Sequence, residues 1–303
     1  MTIIKNIRKN FGLYLMAVPG LLFFATFSLF PTYCHTLAFK DYRPMDGIFG
    51  SRWAGFQNFR FFFGNNDWLI VTRNTLMLNF MFITLTIVIS LTIAIFLDEV
   101  GNIFAKRFMQ SIIFLPYFVS WLVVSILAFA LLNQSTGVIN VILRSFGAEA
   151  VPFYNTPRVW PGILTFVYVW RFCGWYSIIF LSAITAISPD FYEAAKIDGA
   201  SRVQQVWHIT LPNLRGTAIM LILLAVGRIF YGDFGMIYGI VGDNGLLFET
   251  TDIIDTFAFR ALRMSGDFGR AASVSLYQSV MGFITVLIFN RLIKAVDKDY
   301  VLF

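Results

Sequence analysis

The sequence predicts an all-α integral membrane protein with about six transmembrane helices and a helix-turn-helix loop on its cytoplasmic face. Three observations carry that prediction. Apolar residues make up 58% of the chain and charged residues only 13%, against roughly 45–50% and about 25% in soluble domains. The apolar residues gather into six runs near the ~20 residues that a helix needs to cross a hydrocarbon core about 30 Å thick. One polar segment, rich in helix-capping signals, separates the fourth run from the fifth.

The composition also excludes alternatives. So few charges cannot cover the surface of a soluble domain of this length. The net charge of +6 is scattered between apolar runs and forms no stripe, so it does not mark a nucleic-acid surface. It fits instead the excess of Lys and Arg on cytoplasmic loops. Cys34 and Cys173 lie in apolar runs without metal or redox spacing, and His35 and His208 are isolated, so no metal site is assigned. No G-x-x-x-x-G-K-[ST] occurs, so the chain lacks that loop for cradling nucleotide phosphates.

The spans run from about Gly12 to Ala38, Thr75 to Leu97, Phe108 to Leu132, Val159 to Ile187, Gly216 to Gly239 and Ala271 to Ile293. Lys5, Arg8 and Lys9 ahead of the first run mimic a secretory leader. The run is longer than a leader's apolar region and no A-x-A site follows, so it is read as a retained span. Pro116 and Pro161 are expected to kink or begin their spans. Glycines 227, 232, 235 and 239 would let helices cross closely. Segments 1–11, 98–107, 188–215 and 291–303 carry a higher density of Lys and Arg than segments 39–73, 133–158 and 240–267. That bias places both termini in the cytoplasm. The longest loop leaves no room for a soluble domain, so residues 1–303 are expected to form a single transmembrane domain.

The polar segment, about 188–214, reads as two short helices. Ser188 caps the first, Pro189 occupies its first position and Asp190 its first turn. Gly199 ends it. The second is expected to run from Ser201 to about Ile209 and stop before Pro212. Ala194, Ala195, Gly199 and Ala200 are small enough for another surface to approach, with Glu193, Lys196 and Asp198 around them and Phe191 and Tyr192 as apolar anchors. An ordinary amphipathic helix at the membrane interface reads equally well on these residues alone.

Glu193-Ala194-Ala195, Gly199 and Ile209-Thr210-Leu211-Pro212 together resemble the EAA loop of binding-protein-dependent ABC importer permeases. Further stretches are similar to the LplB/YteP type of sugar permease within the maltose-permease superfamily, alginate-importer permeases among them. These are Arg73-Asn74-Thr75-Leu76, Leu115-Pro116-Tyr117-Phe118-Val119-Ser120-Trp121, Trp170-Arg171-Phe172-Cys173-Gly174-Trp175 and Thr251-Asp252-Ile253-Ile254-Asp255-Thr256. The resemblance covers nearly the whole chain. It implies a type I ABC importer permease of the bacterial inner membrane with no enzymatic activity or cofactor of its own. The implied partners are a second homologous permease, two ATPase subunits that bind ATP and Mg, an extracytoplasmic solute-binding protein and an oligosaccharide. Glu193, Ala194, Ala195, Asp198 and Gly199 would couple to the ATPase.

Charged groups within spans are costly and default to functional candidates. Arg171, Arg228 and Asp233, with Trp170, Trp175 and Tyr231, are therefore candidates for the solute pathway. A guanidinium there would suit acidic oligosaccharides such as alginate fragments. The same residues also read as bundle-holding pairs and ordinary membrane packing. Two other functions compete at this level: an ion-coupled secondary transporter and a membrane scaffold without transport. The EAA-like loop and the lack of a visible inverted repeat argue against the first, and the intramembrane charges against the second.

Overall fold

A computed structural model of the chain describes residues 10–296; the cations Lys5, Arg8, Lys9 and Lys298, used above for orientation, lie outside them. Among the described residues, five helices are long and apolar enough to cross a membrane, and six spans result if the bent pair Ile103–Phe118 and Trp121–Leu132 counts as one. Apart from one pair of two-residue strands, all regular structure among the described residues is helical. That follows from the solvent, because in hydrocarbon a helix satisfies its backbone groups internally.

Two compact units form. One comprises residues up to Asp67 with Ala258–Tyr277. Its first helix, α1 (Phe11–Phe39), is α-helical to Phe24, opens into a π turn over Ala25–Leu29 and tightens over Tyr33–Phe39. No side chain from Phe11 to Thr32 is buried, as suits a helix immersed in an apolar surrounding. Strands β1 (Lys40–Asp41) and β2 (Arg52–Trp53) then pair antiparallel. Lys40 closes this hairpin from within: its Nζ donates to the carbonyls of Ile48 (2.6 Å) and Phe49 (3.2 Å). Helix α2 (Gln57–Phe63) follows, and the Asn58 amide donates to the carbonyls of Ala38 and Lys40.

The second unit comprises Trp68–Phe257 and the chain from Gln278 onward. Its helices are α3 (Asp67–Asp98), α4 (Ile103–Phe114, extended by a tight turn to Phe118), α5 (Trp121–Leu132), α6 (Val138–Ser145), α7 (Trp160–Thr185), α8 (Pro189–Ile197), α9 (Arg202–Val226) and α10 (Phe234–Val241). Helix α11 (Ile254–Ser265) begins in this unit, and α12 (Phe268–Val296) ends in it. One core cluster gathers Leu78, Phe82, Val124, Leu164, Met236 and Ile237; another gathers Ile87, Ala94, Phe180, Leu181, Leu214 and Leu221. Helices α5 and α10 cross closely at Gly235 and Gly239, which face Trp121 and Ser125.

Three expectations need correction. The third span is not continuous: α4 and α5 meet at a 95° bend. Pro116 lacks the N–H that a straight helix would use, Val119 and Ser120 are extended, and the Ser120 hydroxyl caps α5 by accepting from the Val123 N–H. The fifth span does not run from Gly216 to Gly239. It starts at Arg202, ends at Val226 and is followed by an unwound segment, 227–233, before α10. The second helix of the polar segment does not stop before Pro212. A π turn over Val206–Thr210 carries it onward, with the Leu211 N–H donating to the Val206 carbonyl. This wider turn takes Pro212 into the helix, as inserted turns of this kind do where the ordinary ladder is interrupted. Pro161 stands in the first turn of α7, as expected.

Candidate functional site

The unwound segment 227–233 would be untenable in a membrane unless its free backbone groups found partners. Three side chains from other helices supply them. Asn79 of α3 donates to the carbonyls of Ile229 (2.9 Å) and Tyr231 (3.2 Å). Gln278 of α12 donates to the Phe230 carbonyl at 2.8 Å and to Asp255 Oδ2 at 3.0 Å. Asp255, at the start of α11, accepts the Gly232 N–H at 2.7 Å. Burial pushes the Asp255 carboxyl above the ordinary carboxylate range, and these two donors act against that rise.

Beside this segment lies a cavity of about 580 Å³. Its aromatic wall comes from Tyr117 at the end of α4 and from Tyr168, Phe172, Trp175 and Tyr176 on α7. Arg228, Tyr231 and Asp233 enter it from the unwound segment, and Asn79 from α3. The rings brace one another: Tyr117 stacks with Trp175 at a centroid distance of 6.1 Å, and Tyr168 lies 4.6 Å from Phe172 and 4.4 Å from Phe82. The Tyr231 hydroxyl is 3.2 Å from Ser279 Oγ.

Of the six pathway candidates, Trp175, Arg228, Tyr231 and Asp233 line this cavity. Arg228 and Asp233 are five residues apart, which would put them on different faces of a helix; because the chain is unwound there, both reach one cavity. Asp233 also has a structural duty, since its carboxylate caps α10 by accepting the Met236 N–H at 3.1 Å. Trp170 and Arg171 are not part of the wall. Trp170 is exposed on α7. The Arg171 guanidinium lies 3.9 Å from the Trp121 ring centroid, and its buried Nε has no hydrogen-bond partner. Arg171 and Asp233 therefore hold neighbouring parts of the bundle through Trp121 and α10. Asn79, Tyr117, Tyr168 and Phe172 were not among the candidates. The sequence signal for Asn79 is an amide isolated in an apolar run; Tyr117 and Phe172 lie in two of the family-like stretches, and Tyr168 has no signal beyond composition.

The polar segment forms the second candidate surface. Ser188 caps α8 through the Asp190 N–H, and Ser201 and Gln204 form a reciprocal capping box at the start of α9, an arrangement that satisfies two free donors at once. Between them Gly199 has φ +79°, a left-handed conformation costly for any residue with a Cβ. The Ala200 N–H donates to the Ala195 carbonyl at 2.8 Å. Tyr192 turns inward and its hydroxyl meets Thr210 Oγ1 at 3.0 Å, while the Gln205 amide donates to the Ala200 carbonyl at 3.0 Å. Of the two apolar anchors, only Phe191 is outward-facing; Ile197, Val203 and Trp207 are exposed with it. Glu193, Ala194, Asp198 and Gly199 are exposed and Ala195 half-buried. Glu193 also borders a cleft of about 240 Å³ with Glu99, Lys196 and Arg202, across which Arg202 and Glu99 approach to 3.7 Å.

Two of the sequence stretches singled out earlier prove to be partners. Asn74, fully buried, donates to the carbonyls of Glu249 and Asp252, both at 3.1 Å. Thr75 Oγ1 accepts the Ile254 N–H at 3.0 Å, and Arg73 donates to the Glu249 carbonyl at 2.6 Å. This clasp fixes the connection that carries Asp255.

A multi-span bundle with a broken helix beside a polar and aromatic cavity, and an exposed capped helix pair at the other end of that helix, defines a membrane transport component. Residues 86–299 match the family model described as binding-protein-dependent transport system inner membrane component, and the chain belongs to that family. It is similar to the polygalacturonan/rhamnogalacturonan transport system permease protein YteP of Bacillus subtilis (strain 168), with 35% identity over 98% of this chain and 92% of the relative. It is also similar to protein LplB of the same organism, with 34% identity over 97% and 92%. Among solved structures it resembles a chain of a bacterial alginate ABC transporter in complex with an alginate pentasaccharide-bound periplasmic protein. That match has a TM-score of 0.87 and 28% identity over 98% of both chains. A second structure, of a bacterial ABC transporter involved in the import of alginate, matches with a TM-score of 0.88.

Proposed function

We propose that this chain is one of two homologous permeases in an ATP-driven, binding-protein-dependent importer, and that it conducts oligosaccharides, acidic ones such as alginate fragments included. Two ATPase subunits would bind ATP and Mg and dock on α8 and the start of α9 through Glu193, Ala194, Ala195, Asp198 and Gly199. An extracytoplasmic binding protein would deliver the solute to the opposite face, and both termini would lie in the cytoplasm.

One observation carries the reading. Helix α9 is continuous over 25 residues, about 37 Å at 1.5 Å per residue. Its first turn belongs to the exposed coupling pair, and its last residue precedes the unwound cavity segment. A push on one end of a rigid helix is therefore delivered at the other, the kind of rigid-body switching by which packed bundles change state. In the cavity, Trp175 and Tyr231 would offer faces and hydroxyls to sugar rings, and Arg228 would take a carboxylate through paired N–H donors. Asp233 lines the cavity as well as capping α10, whereas Arg171 and Trp170 would act on the pathway from outside that wall. The similarity to permeases named for polygalacturonan and alginate transport supports the acidic substrate.

The test is to purify the chain with its co-expressed neighbours and measure ATP hydrolysis with and without binding protein and oligosaccharide. Hydrolysis stimulated by loaded binding protein is expected. Failure of any ATPase to co-purify would overturn the reading.

A further inference from the structure

We infer that Asp255 and Gln278 are positioning residues for the transported solute: they hold the unwound segment 227–233 in the one shape that presents Arg228 and Tyr231 to the cavity. The inference rests on the cavity being the solute site, and it adds residues that line no part of it.

The segment has no secondary structure of its own to fix it. After Val226 it makes only short turns, with the Ile229 N–H bonded to the Val226 carbonyl and the Tyr231 N–H to the Arg228 carbonyl. The Ile229, Phe230 and Tyr231 carbonyls and the Gly232 N–H are held from outside by Asn79, Gln278 and Asp255. Gln278 spends one amide nitrogen on two partners, the Phe230 carbonyl and Asp255 Oδ2. The same Oδ2 accepts the Gly232 N–H. A carboxylate is suited to this post because one of its oxygens accepts two donors and bonds more strongly than a neutral acceptor. Asp255 is itself held, because the residues just before it are clasped by Asn74 and Thr75. The resulting chain of contacts runs from the start of α3 through the connection before α11 to the cavity wall. Asn74, Thr75 and Gln278 are buried and Asp255 is half-buried, and a polar group removed from water is costly to leave without its partner.

Two measurements on the assembled complex in proteoliposomes test this. The first is backbone hydrogen exchange of the peptide containing 227–234. Asp255→Ala should expose the Gly232 amide and speed exchange there by about tenfold or more, whereas Asp255→Asn, which keeps an acceptor oxygen, should retain most of the protection. The second is uptake as a function of oligosaccharide concentration. Asp255→Ala and Gln278→Ala should raise the half-saturating concentration about tenfold, with a smaller loss of maximal rate, and Asp255→Asn should restore it to within about threefold. Should Asp255→Ala fail to assemble, Gln278→Ala carries both measurements. Unchanged exchange in whichever of these variants assembles overturns the positioning role, whatever the complex transports. So does a half-saturating concentration that stays at the wild-type value. A wild-type complex that takes up no oligosaccharide overturns the proposed solute but leaves the exchange result to decide the positioning role.

Discussion

Gly174 sits where α7 meets α4 backbone to backbone, and replacing it tests how the cavity wall is held. A Cβ built there would touch the Ile113 carbonyl and lie 2.7 Å from the Ile113 carbonyl carbon and 2.8 Å from Phe114 Cα. The opposing atoms are main chain and cannot rotate away; clearing the Ile113 carbonyl carbon to an ordinary 3.4 Å contact takes about 0.7 Å, and the nearer carbonyl oxygen requires the helices to part further still. Overpacking of this kind costs about 1–3 kcal/mol. Because the neighbours are main chain, the upper part of that range, about 2–3 kcal/mol, applies; the better helix propensity of alanine returns up to about 1 kcal/mol, leaving a net loss of about 1–2 kcal/mol. At about 2–4 °C per kcal/mol for a unit of this size, Gly174→Ala should melt about 2–8 °C below wild type. Gly162 lies on the same helix with nothing within 4 Å of its would-be Cβ, so Gly162→Ala should be neutral or slightly stabilising. The assay is intrinsic-fluorescence melting of the purified complex. If the two variants melted within 1 °C of each other, the close α4–α7 contact would be refuted, and with it the placing of Tyr117 against Trp175.

Other outcomes follow from the same geometry. Gly199→Ala meets no neighbour but must adopt a left-handed backbone at a cost of about 1–2 kcal/mol; it should weaken ATPase co-purification, and Gly199→Glu should also uncouple hydrolysis from uptake. Asp233→Ala removes the α10 cap and should cost about 0.5–2 kcal/mol, read as a lower melting temperature, with Asp233→Asn or Asp233→Ser recovering most of it. Arg228→Gln should raise the half-saturating concentration of a carboxylated oligosaccharide about tenfold, the weight of a charge-assisted contact, while changing that of a neutral one less than threefold. Asn74→Leu removes the buried amide that donates to three carbonyls and should destabilise the complex by about 1–3 kcal/mol, seen in the same melting assay.

The spans were legible because hydropathy depends only on composition within a window, and Phe and aliphatic residues dominate each of them. The breaks were not, for the same reason. Val119-Ser120 and the stretch around Gly227–Asp233 are apolar enough for an averaged window to pass over them, and what unwinds the second is the set of partners waiting on α3, α11 and α12. Those partners, Asn79, Asp255 and Gln278, are far from it in sequence. The polar segment was legible almost residue by residue down to Ser201, since caps, Pro189 and Gly199 act locally. Its continuation through Pro212 was hidden, because a π turn leaves no compositional mark. Arg171 shows the limit of reading charges one at a time: the sequence marks a cation inside a span, but not that its guanidinium lies over the ring of Trp121 from another helix.

The central claim is that ATP hydrolysed by partner subunits drives solute through this bundle, and uptake into sealed proteoliposomes tests it most directly. With the complex reconstituted, ATP enclosed on the side of the coupling helices and loaded binding protein outside, labelled oligosaccharide should accumulate in proportion to ATP consumed. It should do so in the absence of any ion gradient. Accumulation driven by a proton or sodium gradient without ATP, or indifferent to the binding protein, would contradict the account.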